Sequence, residues 1–537
     1  MFEQKPVVQT NIDTTSFEKI VKILEQSNKS IIIHGKAGTG KSTFIAYLKR
    51  HYKNKWVVVA PTGIAAINVG GQTIHSFFKF PPRFIDVTHI SKAKKTGVYK
   101  KIDLLIIDEI SMVRADILDG IDRSLRINRN RSDVAFGGVK VMMVGDIYQL
   151  PPVVRREEEI VFKQNNYKGH YFFNSRVFKE ITESDQLNVI ELSTVYRQKD
   201  EAWVESLNNI RVYEYGDKIG EVLDKRIVAS KASIPEPYIT LTTTNKLATK
   251  HNEERLAKLP SSEHEFTAEI SGDFPEGDYP TEKVLRLKVG AQVLFIKNDE
   301  ARQWVNGDIG IIKAIEAKHL VVLCKDAELQ VAYQTWQRLK YEVVDEAIKE
   351  DVTGEFKQLP VRLGWAITIH KSQGQTYDRV LLDTAVSAFA PGQLYVALSR
   401  CRTYEGIFML NAIAQHEIII NKELDVFWEL VKDKIIHEDN LDSGKPTIDK
   451  YATSVVACIN ELSIPYGKLY ISGILMGSKN KKIFENKHNQ LKSYGALRGD
   501  TQEDVCEQID SLIAQGIIAT SKVWIGQFYK PVLGLRE

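Results

Sequence analysis

Cysteine is scarce in this 537-residue chain. There are four, Cys324, Cys401, Cys458 and Cys506, and none are spaced as a Cys-x-x-Cys zinc half-site. This argues against a disulfide scaffold and points to a reducing, cytoplasmic compartment. Long apolar runs are missing too. The longest aliphatic stretches, such as Trp56–Ala60 and Leu104–Ile107, fall far short of the ~20 residues a membrane helix needs. The opening MFEQKPVVQTNID has no apolar core for a signal peptide, and its Glu3 and Asp13 argue against a transit peptide. No membrane partner is expected. Neither sign of charge dominates: 72 Lys and Arg against 69 Asp and Glu give +3, so a surface for a polyanion must be local. What remains is a globular composition, 43% hydrophobic and 26% charged. Its length suits about three to four domains.

The first 190 residues alternate short apolar runs (Ile31–Ile33, Trp56–Ala60, Ile102–Ile107, Val139–Val144) with helical patterns. That alternation predicts an α/β domain, a parallel sheet covered by helices. A second such region is expected over 191–255 and 355–437, with strands near Ile239–Thr242, Leu363–Ile369, Val380–Asp383 and Gly406–Leu410. Between them, 256–354 changes texture to short strands punctuated by Gly290 and Asn306-Gly307. It reads either as a small inserted β-barrel or as an insertion packed on its host. A polar stretch over 438–450 reads as a linker. Three amphipathic segments and a strand pair, Ile517–Ala519 and Pro531–Leu535, then suggest a winged helix over 451–537.

Gly35-Lys36-Ala37-Gly38-Thr39-Gly40-Lys41-Ser42 fits G-x-x-x-x-G-K-[ST], with a strand before it and a helix after it. The glycines let backbone N–H groups turn toward phosphate oxygens, and the helix N-terminus adds its dipole. Lys41 is placed to neutralise the β and γ phosphates, and Ser42 to offer a hydroxyl to Mg²⁺. Asp108-Glu109 ends an apolar strand, where a parallel sheet opens its ligand crevice. Asp108 is a second candidate for Mg²⁺, and Glu109 a candidate to activate a water for attack. A GTPase is disfavoured, because Asn245-Lys246-Leu247-Ala248 lacks the Asp of a guanine-reading motif.

Three further blocks follow: Gly145-Asp146-Ile147-Tyr148-Gln149-Leu150-Pro151-Pro152-Val153, Ile369-His370-Lys371-Ser372-Gln373-Gly374-Gln375-Thr376 and Tyr395-Val396-Ala397-Leu398-Ser399-Arg400. With the phosphate-binding motifs they resemble superfamily-one helicases of the RecD and Pif type, over about residues 16–415. The resemblance implies two RecA-like domains with an inserted Src-homology-three-like barrel, and ATP-driven 5′-to-3′ movement on single-stranded DNA. It makes ATP and Mg²⁺ the cofactors, with Gly35, Gly38, Thr39, Gly40, Lys41, Ser42, Thr43 and Gly374 about the nucleotide. It gives catalytic roles to Gln149, Arg197 and Arg400 besides Lys41, Asp108 and Glu109. Pro61, Thr62, Gly63 and His75 would touch the strand from the first domain. Thr243, Thr244, Asn245, His370, Lys371, Ser372 and Gln373 would do so from the second. His75 also reads as a buried core histidine. The lysine run over 92–101 reads as ordinary solvated charge or as a wedge insertion, spanning about 79–101, beside a DNA fork. The family's adenine-reading Gln has no clear counterpart: Phe17, Glu18 and Gln9 stand near its place.

The last segment resembles the winged helix that follows the motor in RecQ helicases. Tyr466-Gly467, Ile474–Lys479, Leu491–Gly495 and Ile513–Ile518 carry that likeness, without the zinc site that usually precedes the module. From Lys468 to Arg498 there are seven basic residues and one acidic, Glu485. Lys479, Lys481, Lys482 and Trp524 are therefore candidate DNA contacts. Trp524 and Phe528 read equally as core or as stacking residues. The expected partners are single-stranded and tailed or forked DNA, met by a monomer or by a dimer formed on DNA. The rival readings are an ATP-gated clamp or remodeller, and a RecD-like subunit of a DNA-processing complex.

Overall fold

The computed structural model describes the chain apart from residues 1–13, 53–54, 195–199, 213–216, 302, 345–346, 384–389, 414–418, 420, 439–440, 442–449, 463–465, 499–501, 503–504, 507–508, 511, 513–517, 526–527 and 536–537. It divides into two compact units, Met1–Val431 with Ile436–Gly444, and Lys432–Ile435 with Lys445–Glu537.

The first lobe of the larger unit is built on a seven-stranded sheet. Its strands lie in the order Ile435–His437, Leu187–Leu192, Ser30–Gly35, Lys140–Gly145, Leu104–Ile107, Trp56–Ala60, Gln72–Thr73. From Leu187–Leu192 to Gln72–Thr73 every pairing is parallel. A sheet covered on both faces needs continuous apolar strands. Ile32, Ile33, Val57–Ala60, Leu104–Ile107 and Val141–Val144 accordingly have no exposed surface. Parallel strands all end at one edge, so the turns after Gly35, Ile107 and Gly145 open on the same side.

The second lobe carries a four-stranded parallel sheet in the order Ala366–Thr368, Ile239–Thr242, Val380–Leu382, Ile407–Met409. Two expected boundaries move. Leu187–Leu192 runs past residue 190 and pairs fully with Ser30–Gly35. Ile435–His437, expected at the end of the second domain, is instead the edge strand of the first lobe's sheet. Ile436 of that strand, and Leu441 from the expected linker, are buried in the first lobe's core. Glu438, expected in a linker, accepts hydrogen bonds from the Ser193 and Thr194 amides at 2.8 and 3.2 Å, and from the Ser193 hydroxyl at 2.9 Å. The apolar pair Ile435-Ile436 is too short to stand out in a charged stretch, yet two residues suffice for an edge strand.

A truncation checks that reassignment. A chain ending at Lys434 should lose roughly 3–6 kcal/mol of stability in the larger unit, the worth of burying two aliphatic side chains. A chain ending at Gly444 should keep the full unfolding transition of the larger unit. Urea melts of both, followed by circular dichroism, give the comparison; equal midpoints would show the strand to be dispensable.

The insertion, read as a small barrel or as an insertion packed on its host, is built from several sheets. A five-stranded antiparallel sheet runs Ala327–Ala332, His319–Cys324, Ile309–Ile315, Gln292–Phe295, Val361–Leu363. Glu263–Thr267 pairs with Val284–Lys288. A long hairpin, Gln334–Val344 with Ala347–Gln358, adds Glu269–Gly272 at its base. The hairpin lies against the first lobe. The Val58 amide donates to the Tyr341 hydroxyl at 3.2 Å, and Arg338 donates to the Ser76 hydroxyl at 3.1 Å.

In the smaller unit, helices Lys450–Glu461, Lys468–Leu475 and Lys481–Glu485 surround a core that includes Val455, Cys458, Ile471, Ile474 and Leu497. Cys458 serves there as a small buried hydrophobe. Ile518–Ile525 and Phe528–Leu535 form an antiparallel hairpin, longer than the sequence suggested.

Candidate active site and strand-binding face

The phosphate loop begins where strand Ser30–Gly35 leaves the sheet and ends at helix Lys41–His51. Gly38 and Gly40 have φ of 85° and 82°, conformations that a side chain would strain. The helix is held by Phe44, Ile45 and Leu48 on its buried face. Phe17 packs against Phe44 with ring centroids 5.2 Å apart, so it is a core residue rather than an adenine reader. Glu18 is exposed, and Gln9 lies outside the described residues. The Lys41 ammonium donates to the Gly35 and Lys36 carbonyls at 2.7 and 2.8 Å, which sets its charge within the loop.

Asp108 and Glu109 follow the fully buried strand Leu104–Ile107. Burial, with Glu109 adjacent, pushes the Asp108 carboxyl well above the usual carboxylate range. Burial also raises Glu109, against the pull of Lys41, Arg400 and Gln373. A carboxylate pair that disfavours its own ionisation is a donor set that a divalent cation relieves. Ser42 stands in the first turn of the helix leaving the loop, with its side chain exposed.

Gln373 departs from expectation. Its amide nitrogen donates to Glu109 Oε2 at 2.9 Å and to Gln149 Oε1 at 3.0 Å. It therefore stands with Glu109 and Gln149, two of the residues expected to act in hydrolysis, and not on the expected strand-binding surface. Ser372 is also corrected. It is fully buried, its hydroxyl donating to the Ile369 carbonyl at 2.7 Å and its amide to the Thr368 carbonyl, so it presents no surface to a strand. Gly374 beside them has φ of 79°. Gln149 is buried, 3.5 Å from Asp146 through its amide.

Arg400 is buried, and its three hydrogen bonds stay within its own lobe. They go to the Val396 carbonyl at 2.9 Å, the Ser399 hydroxyl at 2.8 Å and the Gln375 carbonyl at 3.3 Å. Its charge nonetheless acts on Glu109. Arg197 lies outside the described residues.

Comparison with known proteins gives this arrangement a family. The model of the PIF1-like helicase family matches residues 9–230, and that of the UvrD-like helicase C-terminal domain matches 363–405. The crystal structure of Pif1 from Bacteroides sp in complex with ADP-AlF4 superposes with a TM-score of 0.72 and 36% identity. That match covers 79% of this chain and 98% of that one. The ATP-dependent DNA helicase Pif1 of Bdellovibrio bacteriovorus is 30% identical over 72% of this chain and 85% of its own length. The chain belongs to the PIF1-like helicase family. Human ATP-dependent DNA helicase PIF1 is 31% identical over 71% of this chain, but the match spans only 58% of the human protein. The RQC domain model matches residues 448–537, which agrees with the resemblance read from the tail.

Within the PIF1-like motor, the residues expected to grip a strand divide by exposure. Thr62 caps helix Gly63–Val69 by accepting from the Ala65 amide at 3.2 Å. Gly63 lies against Asp278 of the insertion, where a Cβ would sit 3.0 Å from the carboxylate oxygen. Pro61 precedes them on the same turn. His75 is half-buried, and burial followed by Arg114 lowers its pKa. In the second lobe Thr244 and Asn245 are exposed at the start of helix Asn245–Ala257. Thr243 is buried, its hydroxyl without a partner, so its side chain is turned away from that surface. Lys371 is exposed and His370 half-exposed, both with pKa lowered chiefly by burial.

A buried polar cluster went unnoticed in the sequence. Arg211, on helix Glu201–Val212, donates to Asp146 at 3.2 and 3.3 Å. It also lies 2.6 Å from His34 Nε2 and over the Tyr148 ring at 4.2 Å. Burial, then Arg211, drives His34 down to about 3, so its ring is neutral. Burial works to raise Asp146, yet Arg211 and its other neighbours bring it down to about 2. Nothing about a single arginine on an amphipathic helix distinguishes it in a one-dimensional reading.

In the smaller unit Lys479, Lys481 and Lys482 are all exposed, with Glu485 3.5 Å from Lys481. The Trp524 and Phe528 side chains lie outside the described residues. Their backbones stand opposite Tyr529 and Ile525 across the hairpin.

Proposed function

We propose that the chain is an ATP-dependent DNA helicase that moves 5′-to-3′ on single-stranded DNA and separates tailed or forked duplex. One observation carries this reading: Gln373 of the second lobe bridges Glu109 and Gln149 of the first. Hydrolytic groups that span two lobes tie the chemistry to their closure, and closure is what shifts a strand held by both. Lys41 neutralises the transferred phosphates, Glu109 accepts the proton of the attacking water, Gln149 and Gln373 orient it, and Arg400 opposes the charge that develops. Ser42 and Asp108 would hold Mg²⁺, which would supply Lewis-acid stabilisation of the phosphate oxygens. Pro61, Thr62, Gly63, His75, Thr244, Asn245, His370 and Lys371 meet backbone and sugar without reading bases. Lys479, Lys481 and Lys482 of the RQC domain add contacts to duplex phosphates. No helix among the described residues is long and apolar enough to cross a membrane.

The test is a pair of labelled duplexes, one with a 5′ single-stranded tail and one with a 3′ tail, incubated with the full chain and Mg-ATP. The 5′-tailed duplex should separate and the 3′-tailed one should not, with ATP turnover stimulated by single-stranded DNA. Stimulated turnover without separation of either would replace the helicase by an ATP-gated clamp.

A further inference from the structure

Tyr395 sits on helix Gln393–Leu398 of the second lobe, yet its hydroxyl belongs to the phosphate loop of the first. The Ala37 amide, inside the loop, donates to the Tyr395 oxygen at 3.0 Å. The same hydroxyl donates to Asp146 Oδ2 at 3.0 Å. Both bonds are buried, and the Tyr395 ring is 3% exposed. The approach is close. Gly392, just before the helix, has φ of 72°, and a Cβ there would fall 2.4 Å from the Tyr148 carbonyl oxygen and 2.7 Å from that of Gln149. The helix therefore rests directly on the turn that carries Asp146 and Gln149.

The bonds connect into a line. It runs from Ala37 to Tyr395, to Asp146, to Gln149, to Gln373 and so to Glu109. Arg211 fixes the middle of the line by holding Asp146 Oδ1. Two members, Tyr395 and Gln373, come from the second lobe, and the rest from the first. A buried polar group that loses its partner is costly, so separating the lobes at Tyr395 strands the Ala37 amide and leaves Asp146 Oδ2 only the 3.5 Å contact with the Gln149 amide.

We propose that Tyr395 is a positioning residue through which the second lobe sets the shape of the phosphate loop, so that strand binding between the lobes is transmitted to ATP turnover. This rests on the ATP-driven DNA reading above and goes beyond it by naming the side chain that carries the coupling. Tyr395 touches no reacting atom; it acts through Ala37 and Asp146.

The experiment measures steady-state ATPase of the full chain with and without saturating single-stranded DNA, for wild type, Tyr395→Phe, Asp146→Asn and the double variant. Phe keeps the buried ring and removes the hydroxyl. The ratio of stimulated to unstimulated turnover should fall by about tenfold in Tyr395→Phe, the size expected of one buried hydrogen bond. The loss should appear in kcat, with the KM for ATP changed by less than about threefold, since the phosphate contacts themselves remain. The double variant should lose little more than either single variant, because the two groups act on one bond. A Tyr395→Phe protein that keeps the wild-type ratio overturns the proposal. So does one that loses stimulated and unstimulated turnover equally, which is what a purely structural role produces. If Tyr395→Phe fails to fold, Asp146→Asn removes the acceptor charge from the other side, and an unchanged ratio there overturns the proposal as well. Wild-type turnover that ignores DNA would instead sink the underlying reading.

Discussion

Glu109→Gln should bind Mg-ATP and single-stranded DNA as the native chain does while hydrolysing ATP about 10²–10⁴-fold more slowly, the range over which a positioned general base contributes. The substitution keeps volume and shape. Glu109 adopts a left-handed backbone with φ of 51°, which glutamine tolerates as well as glutamate does. An amide oxygen can still accept from Gln373, which holds the native carboxylate at 2.9 Å. What glutamine cannot do is take a proton. It also removes the charge that, after burial, raises Asp108. Turnover assays beside a fluorescent-nucleotide titration separate the two effects. Near-normal turnover would take Glu109 out of the chemistry.

Arg400→Ala should reduce kcat by roughly 10³ or more, as for other arginines that meet a transferred phosphoryl group. The structure adds a complication. Arg400 is buried and also ties together Val396, Ser399 and Gln375 of its own lobe, so alanine removes a structural knot along with a charge. Arg400→Lys separates the two roles. It keeps a cation and most of the volume but has no planar fork. If the guanidinium acts on the phosphoryl group, the lysine variant should melt within a few degrees of the native chain and still lose at least ~10²-fold in kcat. A lysine variant with native turnover, beside an alanine variant that melts early, would leave Arg400 only its structural role.

How much of this was legible in sequence depended on how local each signal was. The phosphate loop and the strand before Asp108 could be read because glycines, lysine and an apolar run sit side by side. Ile31–Ile33 and Leu104–Ile107 are apolar enough to demand two covered faces, and that fixed the parallel sheet. Gln373 was misplaced because its neighbours His370 and Lys371 suggest a strand-binding loop; only the fold swings its amide to Glu109. Arg211 and Tyr395 meet Asp146 across 65 and 249 residues, a relation no spacing rule reaches. The Gln334–Gln358 hairpin escaped notice because its outer face is charged, with Lys357 pairing with Glu269 at 3.0 Å, and such strands look like loops.

That hairpin has a mechanical consequence. Its chain enters from strand Ala327–Ala332 and returns into strand Val361–Leu363, both in the five-stranded sheet of the insertion, which the second lobe carries between helix Asn245–Ala257 and strand Ala366–Thr368. Its shaft is fastened to the first, by Tyr341 on Val58, Arg338 on Ser76, and Gln72 donating to the Leu339 carbonyl. A two-stranded ribbon anchored at one end and clamped along its length behaves as a leaf spring. The clamp is buried at Tyr341 and ends in loose ion pairs, Lys49 with Glu350 at 3.7 Å and Lys95 with Glu342 at 3.9 Å, which salt weakens first. Each swing of the lobes must flex this ribbon or slide it along the first lobe. If the lobes swing as the proposed function requires, the stiffness of a segment remote from the phosphate loop helps to set how far they part.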